Sequence, residues 1–309
     1  MNNESTLMSE EKINNRTAAE FLKDLWLLMK PELTLLSVFT SLGSAYLAIK
    51  TPDASQLMVF PLLALGTLFV GGGSGVLNQY FERDFDLMMK RTLKRPIPDK
   101  RITPAEGLIF GVVVSLIGTG ILLIINWLAA VLAISTLVTY VFLYTPLKRI
   151  STIATIIGAI PGALPTLIGW AAIQNSLSSQ SLTLFAILYY WQMPHFYSIG
   201  WLYRKDYANA GFRLLTSLDI KGGKVSRQIL INQIILIAVS LSPAMVGLVS
   251  WEYIVIALAV GILFLIFGLR FTRSIGNDSS EPAARILFYV SLFYLPIIFS
   301  SMIIFKIHQ

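Results

Sequence analysis

The chain contains no cysteine and little charge. The absence of cysteine from all 309 residues excludes disulfide bonds, thiolate nucleophiles, cysteine-ligated zinc and covalent haem attachment of the c type. Charged residues make up only 13% of the chain and hydrophobic residues 55%, with a mean hydropathy of +0.69. Soluble domains of this length do not reach such values. The composition therefore predicts a protein that crosses a membrane several times.

Long apolar stretches are abundant. Nine of them approach the ~20 residues that a helix needs to cross a bilayer, so the sequence predicts an all-α polytopic bundle of nine transmembrane helices. The third and fourth stretches meet at Asn126 and Trp127. The predicted division is an amino-terminal segment over residues 1–30 and a transmembrane domain over residues 31–309. The stretches are 33–50, 57–77, 107–125, 127–145, 152–173, 181–201, 229–249, 252–270 and 286–305.

Lysine and arginine are confined to alternate links between these stretches. Basic residues collect on the cytoplasmic side of membrane proteins. With the amino terminus inside, all of the 24 basic residues except Lys50 and Lys306 fall in cytoplasmic segments. The first thirty residues lack the apolar core of a signal peptide. We therefore expect a multi-pass protein of a bacterial cell membrane, with a cytoplasmic amino terminus and an active-site cavity open to the cytoplasm. The net charge of +7 then reflects topology and phosphate binding rather than a nucleic-acid surface.

Three oxygen-bearing side chains recur at helical spacing where an apolar stretch meets a basic run. Asn78, Glu82 and Asp86 are each four residues apart, so a helix places them on one face. Two carboxylates and an amide carbonyl are hard oxygen ligands that suit Mg²⁺ and leave positions open for phosphate oxygens. The other interpretation is a solvated helix end whose acids balance nearby bases. Asp84 points away from the other acids.

Basic residues recur in the three cytoplasmic segments that follow this face. Acids for a cation beside bases for an anion indicate diphosphate chemistry. A Lys-Arg pair at a helix end is also an ordinary topology signal, so both interpretations of Lys148 and Arg149 stay open. The candidates for binding phosphate oxygens are Arg91, Arg95, Lys148, Arg149 and Lys205.

Small residues and prolines interrupt two of the stretches. The run 71–75 is rich in glycine, but no Gly-Lys-Ser/Thr follows it, so close helix packing explains it better than a phosphate loop. In the fifth stretch, Pro161 and Pro165 free backbone carbonyls that lipid cannot satisfy. That segment must face protein or a cavity, and both a ligand pocket and a simple kink are consistent with it.

The sixth stretch carries His195, one of only 2 histidines in the chain. A lone membrane histidine serves as a hydrogen-bonded packing residue, as a proton-transfer group or as a haem-iron ligand. Asp206 follows this stretch. It either supplies a further oxygen ligand to the metal or pairs with Arg204 or Lys205.

Together these motifs resemble the UbiA-type intramembrane prenyltransferases, from Lys30 to the last helix. Asn78-x3-Glu82-x3-Asp86, followed by Arg91-Thr-x2-Arg95-Pro, is similar to the first aspartate-rich motif of that family. Three further motifs resemble the branch of the family that farnesylates protohaem IX. They are Tyr144-Thr-Pro-Leu-Lys148-Arg149, Gly158-x2-Pro-Gly-Ala-x-Pro-x3-Gly169-Trp170 and Trp191-Gln-Met-Pro-His195-Phe.

The resemblance implies a reaction and a set of roles. Mg²⁺ on Asn78, Glu82 and Asp86, with Asp206 as a further ligand, grips farnesyl diphosphate, and the basic residues neutralise the leaving diphosphate. A vinyl group of protohaem IX attacks the farnesyl cation, and water captures the product cation to give haem O. His195 orients haem or accepts a proton. The implied partners are the lipid bilayer and a downstream haem A synthase, with no nucleic acid.

Two other functions share parts of the pattern. An enzyme of the same fold that prenylates an aromatic quinone precursor would share the metal motif, but the histidine-containing helix favours haem. A membrane transporter would also combine many helices with charged residues, whereas here the charges gather at one face. The chain departs from the family pattern in Glu82, where aspartate is usual, and in Asp206, which stands alone where many members carry a pair.

Overall fold

The structure is a bundle of long helices joined by short links. A computed structural model describes residues 16–51 and 53–307; the first fifteen residues of the predicted amino-terminal segment lie outside them. The described residues contain no strand, only an isolated bridge between Val249 and Lys306, in agreement with the predicted all-α class. The helices are α1 (Ala18–Leu28), α2 (Pro31–Ala48), α3 (Val59–Asp86), α4 (Pro104–Ile125), α5 (Trp127–Val138), α6 (Thr145–Ile150), α7 (Ala154–Gln174), α8 (Ser179–Leu202), α9 (Arg204–Asn209), α10 (Leu215–Leu218), α11 (Gly223–Met245), α12 (Tyr253–Ser274) and α13 (Ser280–Ile304), with a 3₁₀ turn at Ala54–Met58 and a π-helical turn at Thr139–Tyr144.

Fewer than the predicted nine helices are long and apolar enough to be recognised as membrane spans. Within the described residues, 7 helices are long and apolar enough to cross a membrane, or 8 if α1 and α2, which meet at a bend of 59°, form one span. Each predicted stretch corresponds to a helix, but the count of nine spans is not confirmed. The reason lies in composition, because α8 is 24 residues long yet carries Gln192, His195 and several hydroxyl groups that lower its hydropathy.

Asn126 alone joins α4 to α5 and bonds in both directions. Its Oδ1 accepts a hydrogen bond from Ala129 N at 2.9 Å and so caps the start of α5. Its Nδ2 donates to Ala171 O on α7 at 2.8 Å. The helix boundary therefore falls at the residue pair that separates the third and fourth apolar stretches in the sequence.

Lys306 closes the end of the bundle opposite the basic links. Its Nζ donates to Tyr46 O at 2.7 Å and to Ile49 O at 2.6 Å. The last carbonyls of a helix have no partner within that helix, and a membrane supplies none. Lys306, one of the two bases that the charge pattern left outside the cytoplasmic segments, thus satisfies the carboxyl end of α2 and ties it to the chain beyond α13.

Two glycines let helices approach to backbone contact. A methyl group on Gly73 of α3 would lie 2.9 Å from Gly111 O on α4. A methyl group on Gly169 of α7 would lie 1.9 Å from Ser41 O on α2. These obstacles are backbone atoms, which move only if the helices separate. The glycine run of α3 is therefore a packing feature.

The bend between α1 and α2 directs Lys30 into the bundle. Lys30 has a left-handed backbone with φ of 51°, and Pro31 begins α2, where its missing N–H is not needed. An ion pair between Asp24 and Arg101 fastens α1 to the segment before α4. α1 is thereby held against the end of the bundle that carries the basic links.

Candidate active site

A cavity of about 200 Å³ lies between α2, α3, α5, α7 and α8. Most of its surface is apolar. α7 passes beside it as a continuous helix through both Pro161 and Pro165, so the proline-containing helix borders a pocket. Residues that line the cavity include Lys30, Gly75, Tyr140, Tyr144, Trp191 and His195.

A widened helical turn shapes one wall of this cavity. The turn Thr139–Tyr144 is π-helical, a local expansion that is frequent at functional sites. The rings of Tyr140 and Tyr144 lie 5.4 Å apart on its inner side. Just beyond the turn, Thr145 Oγ1 donates to Tyr140 O and accepts from Asn78 Nδ2, both at 2.9 Å. The turn therefore sets the orientation of the Asn78 amide.

α3 carries Asn78, Glu82 and Asp86 on one buried face. Their exposed fractions are 1%, 4% and 0%, so these acids do not form a solvated helix end. Three basic residues from other segments contact them, one each. The pairs are Lys30 with Asn78, Lys148 with Glu82, and Arg95 with Asp86.

Arg95 and Thr92 close the end of α3. Arg95 Nη1 donates to both carboxylate oxygens of Asp86, at 2.8 and 2.7 Å. Thr92 Oγ1 donates to the backbone oxygen of Asp86 at 2.7 Å. The link after α3 therefore folds back on the acid that precedes it, which places the guanidinium of Arg95 beside the acidic face.

Lys148 brings two further segments to the same place. It is 8% exposed and forms an ion pair with Glu82, and its Nζ lies 4.7 Å from the centroid of the Tyr144 ring. Its backbone oxygen accepts from Arg213 N at 2.8 Å. The link after α3, helix α6 and the segment after α8 therefore converge on one site.

The other predicted basic residues lie at the rim. Arg91 is exposed and donates from Nη2 to Tyr207 OH at 2.9 Å. Arg149 is exposed and its guanidinium lies 3.8 Å from the centroid of the Phe85 ring. Lys205 is exposed on α9.

Asp206 does not join the acidic face. It is partly buried in the short helix α9, and no hydrogen bond or ion pair connects it to Glu82 or Asp86 in the described residues. Across residues 16–51 and 53–307, no group of three histidine, aspartate and glutamate side chains is placed to hold a metal by itself. A role of Asp206 as metal ligand stays a prediction.

Lys30 is a site residue that the sequence did not single out. Its Nζ donates to Asn78 Oδ1 at 2.5 Å, and its side chain lines the cavity. In the sequence, Lys30 served only as one of the basic residues that indicate the membrane topology. A Lys-Pro pair immediately before an apolar helix was the one signal, because it marks a base at a defined turn rather than in a loose tail.

His195 stands on the cavity wall contributed by α8. It is 7% exposed, and its ring stacks on Trp191 with centroids 4.9 Å apart. Its Nδ1 lies 2.7 Å from Ser291 Oγ on α13. The structure therefore combines the packing interpretation with a position at the cavity.

Residues 36–293 match the sequence pattern of the UbiA prenyltransferase family. The chain belongs to the UbiA prenyltransferase family. This UbiA-family chain is 41% identical over 293 residues to a protein of Solibacter usitatus named protoheme IX farnesyltransferase, and the match covers 92% of this chain and 98% of that one.

Solved UbiA structures share the fold. A structure of digeranylgeranylglyceryl phosphate synthase superposes with a TM-score of 0.75 at 16% identity, covering 92% of this chain and 98% of the other. A UbiA homolog from Archaeoglobus fulgidus bound to GPP and Mg²⁺ gives a TM-score of 0.61 at 13% identity, covering 90% and 99%. At these identities the likeness shows the fold alone.

The geometry suits a reaction that ionises a diphosphate ester beside an apolar pocket. Oxygen ligands for a cation and basic groups for an anion adjoin the cavity through Lys30 and Tyr144, which line it, and aromatic rings form part of its walls. Charge that develops on a leaving group is stabilised there by groups already in place.

Proposed function

We propose that this protein transfers a farnesyl group from farnesyl diphosphate to a vinyl group of protohaem IX, giving haem O and diphosphate. The C–O bond to diphosphate breaks, and farnesyl C1 bonds to the terminal vinyl carbon. Water then adds to the adjacent carbon and loses a proton. Two features support this proposal: family membership, and near full-length similarity to a protein named for this reaction.

The observation that carries the mechanism is that Asn78, Glu82 and Asp86 of α3 each contact a basic group. Glu82 and Asp86 are buried carboxylates that need compensating charge, and Lys148 and Arg95 supply it. A diphosphate offers the same basic groups an alternative anionic partner. Binding of the donor together with a divalent cation would therefore exchange one set of ion pairs for another, with the bases on the diphosphate and the carboxylates on the cation.

The donor set on α3 fits Mg²⁺. Asn78, Glu82 and Asp86 contribute an amide oxygen and two carboxylates from a single rigid helix, which is the oxygen chemistry that Mg²⁺ selects. Mg²⁺ held there would supply positive charge to the diphosphate oxygens and so favour departure of the leaving group. Thr145 holds the Asn78 amide so that its oxygen, not its nitrogen, is directed away from the π-helical turn.

Groups around the cavity bind the diphosphate and enclose the isoprenoid chain. Lys30, Lys148 and Arg95 bind the diphosphate oxygens, and Arg91 and Arg149 attract the anion at the rim. The apolar walls hold the isoprenoid chain and keep water from the allylic cation until the vinyl group has attacked. Positioning and charge stabilisation thus account for the chemistry, with no covalent enzyme intermediate.

We also propose that all nine predicted helices span a bacterial cell membrane, with the amino terminus and the charged end of the cavity in the cytoplasm. The supporting observation is that the links after α3 and α8, together with Lys148 and Arg149 of α6, carry most of the bases and converge on one site. Reporter fusions at each link test the orientation. A haem A synthase that takes up the apolar product is the proposed downstream partner.

The reaction is tested with full-length protein purified in detergent. Protohaem, Mg²⁺ and farnesyl diphosphate are supplied, and the product is analysed for haem O by mass spectrometry. Haem O should form only when all three are present, and chelation of Mg²⁺ should stop its formation. A phenolic quinone precursor replaces protohaem in a parallel reaction, and geranylgeranyl diphosphate serves as competitor. Prenylation of the phenol with no haem O would refute the proposal.

A further inference from the structure

The hydrogen bonds around Ser291 determine which nitrogen of His195 carries a proton. Ser291 Oγ donates to Phe288 O at 2.5 Å, and it lies 2.7 Å from Nδ1 of His195. A serine hydroxyl has one hydrogen to donate. Since that hydrogen is used on Phe288 O, Ser291 Oγ accepts from His195, which holds the imidazole as the Nδ1–H tautomer and leaves Nε2 with a free electron pair.

α13 also fixes the orientation of the ring. The Trp191 indole N–H donates to Ser291 O at 2.8 Å, and the indole stacks on His195 at an angle of 23°. The Phe288 ring contacts His195 from another side, with centroids 5.1 Å apart. Nε2 has no hydrogen-bond partner in the described part of the chain, and His195 borders the cavity. The unprotonated nitrogen is thus the one left for a ligand.

We propose that Ser291 is a positioning residue that presents Nε2 of His195 to the cavity as an axial ligand for the iron of the protohaem substrate. The proposal rests on the proposed function. Histidines that bind metals donate the other ring N–H to a protein oxygen, which sets the tautomer and ring orientation, and neutral imidazole is a common axial ligand of haem iron. Coordination fixes the iron, so the macrocycle keeps little freedom beyond rotation about the iron–nitrogen bond. That constraint limits which vinyl carbon reaches the farnesyl donor.

Binding spectra test this assignment without relying on turnover. Ferric protohaem and metal-free protoporphyrin IX are titrated separately into the full-length protein in detergent, with Soret absorbance and electron paramagnetic resonance as readouts. The variants are His195→Ala and Ser291→Ala. The matched control is Ser240→Ala. Ser240 is a serine as buried as Ser291, and its hydroxyl lies 2.8 Å from Tyr294 OH. Neither Ser240 nor Tyr294 lines the cavity.

The wild-type haem complex should show imidazole-ligated iron, and His195→Ala should lose that signature. Ser291→Ala should bind haem about 10- to 100-fold more weakly, as expected when the group that orients a metal ligand is removed. Ser240→Ala should match the wild type. Metal-free protoporphyrin should bind the wild type and all three variants alike, because only the iron contact is altered.

Other outcomes would overturn the proposal. Unchanged haem spectra in His195→Ala, with turnover lost, would make His195 a proton acceptor instead. Equal behaviour of Ser291→Ala and Ser240→Ala would remove the role of Ser291.

If Ser291→Ala cannot be purified, nitrogen NMR of ¹⁵N-histidine in the wild type decides, because a protonated Nε2 on His195 contradicts the tautomer. If the wild-type protein makes haem O without imidazole-ligated iron, only this proposal is rejected. If it neither binds porphyrin nor makes haem O, the proposed function is rejected as well.

Discussion

Lys30 donates a hydrogen bond from Nζ to Asn78 Oδ1 at 2.5 Å, and the two residues lie 48 positions apart in the chain. Thr145 holds the amide nitrogen of Asn78 at 2.9 Å, so the amide is fixed from both sides. The contact makes the α1–α2 bend a wall of the charged site. Three separate segments thus deliver one basic residue each to the polar face of α3.

Replacement of Lys30 by methionine should weaken binding of farnesyl diphosphate roughly 10- to 100-fold. A hydrogen bond to a charged group contributes about 1.5–3 kcal/mol, and each 1.4 kcal/mol is about tenfold in affinity. The KM for the donor, measured from initial rates of diphosphate release, checks this. Lys306→Met is the control, because Lys306 lies at the opposite end of the bundle, and its KM should match the wild type. A wild-type KM in Lys30→Met would contradict the role.

Glu82→Gln should lower turnover by at least about 100-fold while the protein still inserts in the membrane. The substitution keeps the shape of the side chain but removes the negative charge that a metal–diphosphate complex requires, and loss of one preorganised electrostatic group costs about this much. Asp84→Asn is the control on the same helix, since its side chain is 73% exposed and lies 3.8 Å from Arg83. Rates of haem O formation should separate the two variants. A comparable loss of turnover in both variants would mean that turnover depends on the total negative charge at this helix end and not on Glu82 in particular.

Lys148→Met should destabilise the fold by about 3–5 kcal/mol, because it leaves the carboxylate of Glu82 buried without a partner. The double variant Glu82→Gln with Lys148→Met should recover most of that stability and stay inactive. Unfolding in mixed micelles, followed by circular dichroism, gives the free energies. If the double variant is as unstable as Lys148→Met, the loss comes from packing around Lys148 and not from the unpaired acid.

Gly169→Ala should destabilise the bundle by about 1–3 kcal/mol, the usual effect of overpacking a core. Its new methyl group would meet the backbone of α2 at Ser41 O. Gly120→Ala on α4 is the matched control, because nothing lies within 4 Å of a methyl group there, and it should leave stability unchanged or slightly higher. The same micelle unfolding assay compares them. Equal stability of the two variants would show that α2 and α7 adapt to a wider separation.

Local pattern was enough to predict some of this structure. A spacing of four residues determines that Asn78, Glu82 and Asp86 share a face, whatever the rest of the chain does. The boundary at Asn126 was visible because this polar residue lies between two apolar stretches, whereas its role as a helix cap came only from the structure. Helices were recognisable from apolar length. How many of them span the membrane was not, since α8 contains polar groups that serve the cavity and dilute the apolar signal.

Contacts between residues far apart in the chain could not be predicted from the sequence. Lys148 was a candidate for phosphate, but its pairing with Glu82 depends on how α6 packs against α3. Ser291 gave no signal at all, because a serine in an apolar helix resembles any small packing residue. Its contact with His195 spans 96 positions. Periodicity describes one helix at a time, whereas these contacts depend on how two helices are oriented relative to each other.

The contacts of Lys306 have a mechanical consequence. It binds the carboxyl end of α2, and its backbone pairs with Val249 in the link between α11 and α12. Three parts of the chain are therefore clamped at one rim of the bundle, while the opposite rim is bordered by the longer charged links. Because these parts of the chain are joined at this rim, we expect the helices to separate more at the opposite rim when a substrate larger than the cavity of about 200 Å³ binds.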